Sequence, residues 1–229
     1  MHDFVTEGLA PLVLTLLTYE VGVFLQKKTR SPICNPIAVS ALLMIGILAL
    51  TKSRIPDYQA GMDAVSWLLT PAPVCLAIPM YEQFQVLKKN MGAIAAGVAA
   101  GAVTCLGILV AGGLLLHFDR ALTVSLMPKS VTTAIGVVLS EMNGGMGAVT
   151  TAAIIVTGIF ANMMGVSFCK WFGITDPVAM GVAFGTSGHV VGTAKANELG
   201  ELTGAVSSLS LVVAGLLTAV LFPGVVGFV

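Results

Sequence analysis

The sequence contains little charge. Only 10% of its 229 residues are Asp, Glu, Lys or Arg, whereas soluble domains carry about 25%. Hydrophobic residues make up 56% of the chain, and its mean hydropathy is +0.97. This composition excludes an ordinary soluble domain and predicts an integral membrane protein, with the lipid bilayer as its surroundings. The formal net charge is zero, so the charge balance does not indicate nucleic acid as a partner.

The common motifs of catalysis and metal binding are also missing. The four cysteines form no CxxC pair and have no histidine at ligand spacing, so we expect structural thiols. HExxH, GxSxG and paired carboxylates within the apolar runs do not occur. We therefore expect no enzyme, no catalytic residues, no cofactor and no metal site. Because the N-terminus lacks the basic flank of a signal peptide, the first apolar run is expected to remain as a span.

Long apolar runs are what the sequence has in abundance. A helix needs about 20 apolar residues to cross the hydrocarbon core of a bilayer. The sequence predicts an all-α, polytopic membrane protein, one transmembrane domain over residues 1–229 with about eight hydrophobic segments, two or three of them broken or re-entrant helices. The uninterrupted runs are 31–51, 91–116, 148–169 and 202–229, and the interrupted runs are 8–26, 64–81, 121–140 and 177–194.

Two distant stretches of the chain are similar to each other. Residues 22–40, with GVFLQK and CNPIAVS, resemble residues 165–181, with GVSFCK and TDPVAMG. The Asn35-Pro36 pair of the first stretch matches an Asp-Pro pair in the second. One interpretation is an inverted repeat of the kind that builds transporters. The other is chance similarity between Gly- and Val-rich membrane segments.

Prolines interrupt two of the apolar segments. Pro71, Pro73 and Pro79 lie in the third segment, and Pro128 lies in the fifth. A proline inside a helix removes a backbone hydrogen bond, and lipid tolerates the freed carbonyl only where it is buried in protein or faces a watery cavity. Two interrupted segments therefore predict one polar interior.

The stretch PKSVTT combines a cation and three hydroxyls with a proline. Pro128 is expected in the first turn of a half-helix, with Ser130, Thr132 and Thr133 on or near the first turns. Free N–H groups, the helix dipole and the Lys129 ammonium would make this end a site for a carboxylate or phosphate. The alternative is that Lys129 extends to an interface while the hydroxyls bond to helix carbonyls.

The stretch GTSGHVVGTAKANELGEL, residues 185–202, is the second concentration of polar groups. Its glycines permit close helix approach or an unwound backbone. His189 could bind substrate or carry a proton, and the alternative is a neutral imidazole packed between helices. Lys195 is either a ligand donor or part of a solvated, self-paired helix face with Glu198. The candidate binding residues are Thr186, Ser187, His189, Thr193 and Lys195, and the expected helix-break residues are Gly185, Gly188 and Gly192, together with Asn35 and Pro36.

In their order, these motifs resemble the LrgB/CidB family over nearly the whole chain. The similar stretches are PKSVTTAIG, LAIPMYEQ, CNPIAVS and TDPVAMGVAFGTSGHVVGTAKANELGELTGAVSSLS. The family pattern has proline where this chain has Ala134, and often has Ala and Arg where it has Gly188 and Lys195. Lysine in place of arginine removes a bidentate donor at the end of the Gly-rich segment.

The resemblance implies two different functions in a multi-pass protein of the bacterial cytoplasmic membrane. Bacterial members are described as holin-like or antiholin-like partners of a small LrgA/CidA membrane protein, and they modulate murein hydrolase activity and cell lysis. A plant plastid relative exports glycolate and glycerate, and bacterial relatives have been linked to pyruvate uptake. A homo-oligomer is compatible with the small residues at 92–103, although internal packing explains them equally.

Polar groups within apolar segments favour the transport function, because they are costly there without a task. We expect a secondary transporter of a small 2-hydroxy or 2-oxo monocarboxylate. The carboxylate would bind at the PKSVTT half-helix, and His189 or its neighbours would contact the hydroxyl or keto oxygen. The alternative is a regulatory or pore-forming component that acts through an LrgA/CidA-type partner.

Overall fold

The computed structural model describes residues 9–29, 34–67, 75 and 77–229, which form helices and turns without any strand. The helices are α1 (Ala10–Thr29), α2 (Pro36–Thr51), α3 (Ile55–Gly61), α4 (Asp63–Trp67), α5 (Ala77–Glu82), α6 (Phe84–Leu115), α7 (Arg120–Leu126), α8 (Thr133–Met142), α9 (Gly147–Trp171), α10 (Pro177–Leu199) and α11 (Glu201–Val226). In this part of the chain, α6, α9 and α11 are long and apolar enough to cross a membrane. The predicted class, an all-α membrane protein, is confirmed.

The chain forms two compact units, Met1–Cys75 and Leu76–Val229. In the first unit α1 packs on α2. Gly22 lies so close to the backbone of Pro36 that a Cβ there would come within 2.7 Å of the Pro36 carbonyl oxygen. The hydroxyls of Thr18 and Ser40 form a hydrogen bond of 3.0 Å across the same contact. A single transmembrane domain over residues 1–229 stays a prediction.

The two similar stretches start their helices in the same way. Asn35 precedes α2, and its Oδ1 accepts hydrogen bonds from the N–H groups of the second and third helical residues at 2.9 and 3.3 Å. Asp176 precedes α10, and its Oδ1 accepts from the third residue at 2.9 Å. Both helices begin with proline, whose missing N–H costs nothing there. Asn35 and Pro36 therefore begin a helix, and the inverted repeat stays a prediction.

The prolines of the third apolar segment are only partly covered by the structure. Pro71 and Pro73 lie outside the described residues. Pro79 lies within α5, and the helix continues through it. The interruption that follows lies at Gln83, between α5 and α6. Pro79 therefore does not break a helix where the sequence predicted that it would.

Helix α11 organises the second unit. It packs against α10 and α6, and also against α5 and α8. Its apolar side chains pack with those of α6 and α7 in two buried clusters, formed by Leu87, Ile94, Val98, Val206 and Ala214 and by Leu106, Val124, Met127, Phe222 and Val226. Helix α11 also buries the hydroxyls of Thr203, Ser207, Ser208, Ser210 and Thr218. A buried helix with this many hydroxyls needs neighbouring groups to bond them.

Candidate functional site

The first polar interruption separates α7 from α8 at Met127–Thr132, which we call the lysine turn. Two backbone hydrogen bonds close this turn. The Lys129 N–H donates to the Leu126 carbonyl at 3.1 Å, and the Val131 N–H donates to the Pro128 carbonyl at 3.2 Å. Thr132 has an extended backbone (φ −67°, ψ 149°) and is the N-cap of α8. The expectation that Pro128 lies in the first helical turn is therefore wrong. Its carbonyl is used within the turn, and the helix starts only where Thr132 makes the backbone extended.

The N-terminus of α8 presents free donors. The backbone N–H groups of Ile135 and Gly136 donate to the carbonyl of Thr132 at 3.1 and 2.8 Å. Those of Thr133 and Ala134 have no acceptor within the described ranges, and the Thr132 side chain makes no capping hydrogen bond. Partial positive charge therefore concentrates at this end of the helix.

Lys129, four residues before the first residue of α8, is half-buried. Its Nζ donates a hydrogen bond of 3.3 Å to the Ser130 hydroxyl, which is 3.4 Å from the Cys105 sulfur. Within the described part of the chain it forms no ion pair; the salt bridge recorded there joins Lys195 and Glu198. A half-buried lysine without a counter-ion is an electrostatic site for an anion.

Two cavities adjoin the lysine turn, one at Lys129 and one at Ser130. The main cavity, with a volume of about 350 Å³, is lined by Lys129 from the lysine turn, Ser187 from α10 and Thr157 from α9. The small cavity, of about 10 Å³, is lined by Ser130, Thr186 and Thr218 among others. A volume of that size holds about one water molecule. The structure therefore brings together four predicted site residues, which are Lys129, Ser130, Thr186 and Ser187.

The second interruption lies inside α10 at His189, which we call the histidine bend. The backbone of His189 has φ 41° and ψ −136°, outside the helical region. A Cβ on Gly192 would lie 2.6 Å from the Phe184 carbonyl oxygen, whereas residues eight apart in a straight helix are about 12 Å apart along the axis. The chain therefore turns sharply at His189, and α10 consists of two half-helices.

The His189 ring, the Thr193 hydroxyl and two backbone carbonyls at the histidine bend are bonded within the protein. The His189 ring Nε2 is 2.8 Å from the Ile154 carbonyl oxygen. Thr193 donates to the His189 carbonyl, and its hydroxyl is also 2.9 Å from that of Ser207. Asn162 donates to the Val191 carbonyl at 3.0 Å. These bonds compensate the backbone groups released by the bend, and they match the packed imidazole that the sequence offered as an alternative.

The glycines around the bend allow close packing. A Cβ on Gly185 would collide with the Ser207 carbonyl oxygen of α11, and one on Gly188 would lie 2.7 Å from the Ala161 Cβ of α9. The residue with non-helical angles is His189. The structure shows that these glycines let neighbouring helices approach closely. The expectation that the glycines themselves break the helix is wrong.

The remaining predicted residues lie elsewhere or have other partners. Lys195 does not line either of the two cavities, and its Nζ is 2.6 Å from a carboxylate oxygen of Glu198, an exposed residue of the same helix. Thr193 is fully buried in the bonds of the bend, and Thr133 is exposed at the start of α8. Thr157 lines the main cavity although no sequence signal marked it, because an isolated threonine in an apolar run resembles ordinary helix packing.

An all-α membrane protein with two broken helices and a lysine at one break is the class that this geometry defines. The LrgB-like family model matches residues 15–228, and the chain therefore belongs to that family. The chain is 35% identical over 215 residues to the "Antiholin-like protein LrgB" of Bacillus subtilis (strain 168), a match that covers 93% of this chain and 92% of the relative. No solved structure matches.

Proposed function

We propose that this LrgB-like protein is a secondary transporter of small monocarboxylate anions of the glycolate, glycerate or pyruvate type. The observation that supports it best is the half-buried Lys129, which has no carboxylate partner in the described part of the chain and faces a cavity of about 350 Å³. Such a charge is costly in a membrane protein unless an anion compensates it.

The carboxylate would pair with the Lys129 ammonium in the main cavity. Charge-assisted hydrogen bonds to a carboxylate are about twice as strong as neutral ones. Ser187 and Thr157, which also line the cavity, would contact the hydroxyl or keto oxygen. His189 would position the second half of α10, because its ring nitrogen is already bonded to the Ile154 carbonyl. Alternating access would require helices to move around this site.

A second function is favoured by the name of the Bacillus subtilis relative, which is antiholin-like. In that case the protein would regulate murein hydrolase activity and lysis together with an LrgA/CidA-type membrane partner. It would show no saturable, substrate-specific flux by itself. Lys129 would then matter only for folding.

Uptake into proteoliposomes separates the two functions. The purified protein would be reconstituted and supplied with labelled glycolate, pyruvate or glycerate, with and without a pH gradient. A transporter gives saturable uptake that unlabelled substrate competes away. Absence of flux, both alone and after addition of the LrgA-type protein, would contradict the transport function and favour the regulatory one.

A further inference from the structure

The main cavity has one charged residue and a mainly apolar wall. Lys129, Thr157 and Ser187 supply its polar side chains. No carboxylate and no second cation occurs among its described lining residues. The wall consists of Phe160, Ala161, Gly165, Phe168, Cys169, Phe172, Ile174, Ala183 and Phe184. A ligand in this cavity therefore meets one positive charge and a surface of aromatic and aliphatic carbon.

The aromatic part of this wall combines one buried ring, Phe184, with exposed rings at Phe160 (55%) and Phe172 (74%). The Phe168 ring centroid lies 6.2 Å from that of Phe160 and 6.4 Å from that of Phe172, to which it is stacked. Phe184 is 2% exposed and packs with Cys169. Its ring touches the position that a Cβ on Gly165 would occupy. Phe184 is therefore the fixed part of the wall, and the exposed phenylalanine rings form its outer part.

The cavity is also larger than a three-carbon acid. Its volume is about 350 Å³, which lies within the range of about 300–1,000 Å³ that is typical of sites for drug-sized ligands. Glycolate and pyruvate are smaller than such ligands. Glycerate has two hydroxyls and no apolar body, so it would gain nothing from the phenylalanine part of the wall.

We propose that this cavity selects monocarboxylates with an apolar body, such as branched-chain or aromatic 2-oxo acids. This inference rests on the proposed function of the same site. The carboxylate pairs with Lys129, and the hydrocarbon part packs on the phenylalanine wall. Each buried methylene should tighten binding about fourfold. Going from pyruvate to 4-methyl-2-oxopentanoate should therefore lower the half-saturating concentration more than tenfold.

Cys169 gives a native readout of ligand binding, because its thiol lines the cavity and is only 4% exposed. The rate at which a small maleimide alkylates Cys169 in the purified protein would be followed by mass spectrometry, with each acid added in turn. We expect 4-methyl-2-oxopentanoate to protect Cys169 at a concentration at least tenfold lower than pyruvate, and glycerate to protect least. The methyl ester of 4-methyl-2-oxopentanoate, which has the same hydrocarbon but no charge, should not protect Cys169.

Two variants test the wall and the charge separately. Ala183→Leu fills part of the cavity and should weaken protection by 4-methyl-2-oxopentanoate about tenfold while leaving pyruvate nearly unchanged. Ala179→Leu, one turn earlier on α10 and exposed, serves as its control. Lys129→Ala should remove protection by every acid.

Each contrary result has a distinct meaning. If all acids protect equally in a Lys129-dependent manner, this inference is wrong and the proposed function stands. If the methyl ester protects as well as the acid, the cavity takes an uncharged apolar molecule such as a lipid chain, and the inference is also wrong. If no acid protects and Lys129→Ala changes nothing, the proposed function fails together with it.

Discussion

The lysine turn and the histidine bend both interrupt a helix in an apolar protein, but they treat their polar groups in opposite ways. At the histidine bend, the ring of His189 and the carbonyls of His189 and Val191 are all hydrogen-bonded to other protein groups. At the lysine turn, the Lys129 ammonium has only a hydroxyl partner at 3.3 Å. At the start of α8, which follows the lysine turn, the N–H groups of Thr133 and Ala134 have no acceptor within the described ranges.

This difference shows how a polar residue in a membrane segment can be interpreted. A buried polar group is costly unless it is paired. Pairing within the protein makes it part of the fold, as for His189. A polar group that is left without a counter-ion and faces a cavity is available to a ligand, as for Lys129. The predictions below test that contrast, beginning with the largest effect.

Removing the charge at the lysine turn should have the largest effect on transport. Lys129→Ala deletes the ammonium of the proposed anion site, and we expect proteoliposome uptake to fall at least a hundredfold, equivalent to about 3 kcal/mol. Lys129→Arg keeps the charge and should retain part of the uptake. Lys195→Ala is the matched control, because Lys195 pairs with Glu198 on the same helix, and its uptake should be unchanged. Normal uptake by Lys129→Ala would contradict the claim that the lysine turn binds a ligand while the histidine bend is part of the fold.

Crowding the packed side of α10 should damage folding. A Cβ on Gly185 meets the backbone of α11, which cannot move aside easily. Overpacking costs about 1–3 kcal/mol, and we expect Gly185→Ala to lie near the upper end. Thermal denaturation monitored by size-exclusion chromatography would measure the loss. Gly107→Ala in α6 is the control, since nothing lies within 4 Å of a Cβ there; equal stability of the two variants would contradict the packing at the bend.

Removing the ring at the histidine bend should reduce stability more than substrate affinity. His189→Ala removes the hydrogen bond between the ring and the Ile154 carbonyl, which contributes about 0.5–1.5 kcal/mol. The KM for uptake by the folded fraction should change far less than in a lysine-turn variant. His189→Gly should keep about 1 kcal/mol more stability than His189→Ala, because glycine adopts a positive φ readily. A large rise in KM without loss of stability would instead make His189 a ligand-binding residue.

A smaller effect is expected from the hydroxyl that completes the bend. Thr193→Val removes the bonds to the His189 carbonyl and the Ser207 hydroxyl, at 2.9 Å each. We expect a loss of about 1 kcal/mol in unfolding free energy. Thr151→Val is the control, since the Thr151 hydroxyl bonds only within its own helix, to the Gly147 carbonyl. If both variants lose equal stability, the bonds at the bend do not contribute specifically.

Features controlled by local chemistry could be predicted from the sequence. The sequence marked Asn35-Pro36 as a helix break, and the structure shows that this pair, like Asp176-Pro177, begins a helix, because an Asx cap and a proline act through the adjacent turn. The combination of Pro128, Lys129 and hydroxyls marked the first break for a similar reason. The start of the following helix was expected at Pro128 and lies after Thr132, because which residue becomes extended depends on the turn before it.

Features controlled by tertiary contacts could not be predicted. The three glycines near His189 concealed that the histidine itself takes the unusual backbone conformation, which depends on the Ile154 carbonyl and on the close approach of α9 at Gly158. Thr157 joined the site only when α9 packed beside the lysine turn and α10. A single polar residue in an apolar helix has no periodic signal of its own.

The most direct test of the central claim compares the two lysines in a binding experiment. Calorimetric titration of the purified protein with pyruvate would be performed on the wild type, Lys129→Ala and Lys195→Ala. The proposed anion site predicts equal affinity for the wild type and Lys195→Ala, and at least tenfold weaker binding for Lys129→Ala. Unchanged affinity in the Lys129→Ala protein would contradict an anion site at the lysine turn.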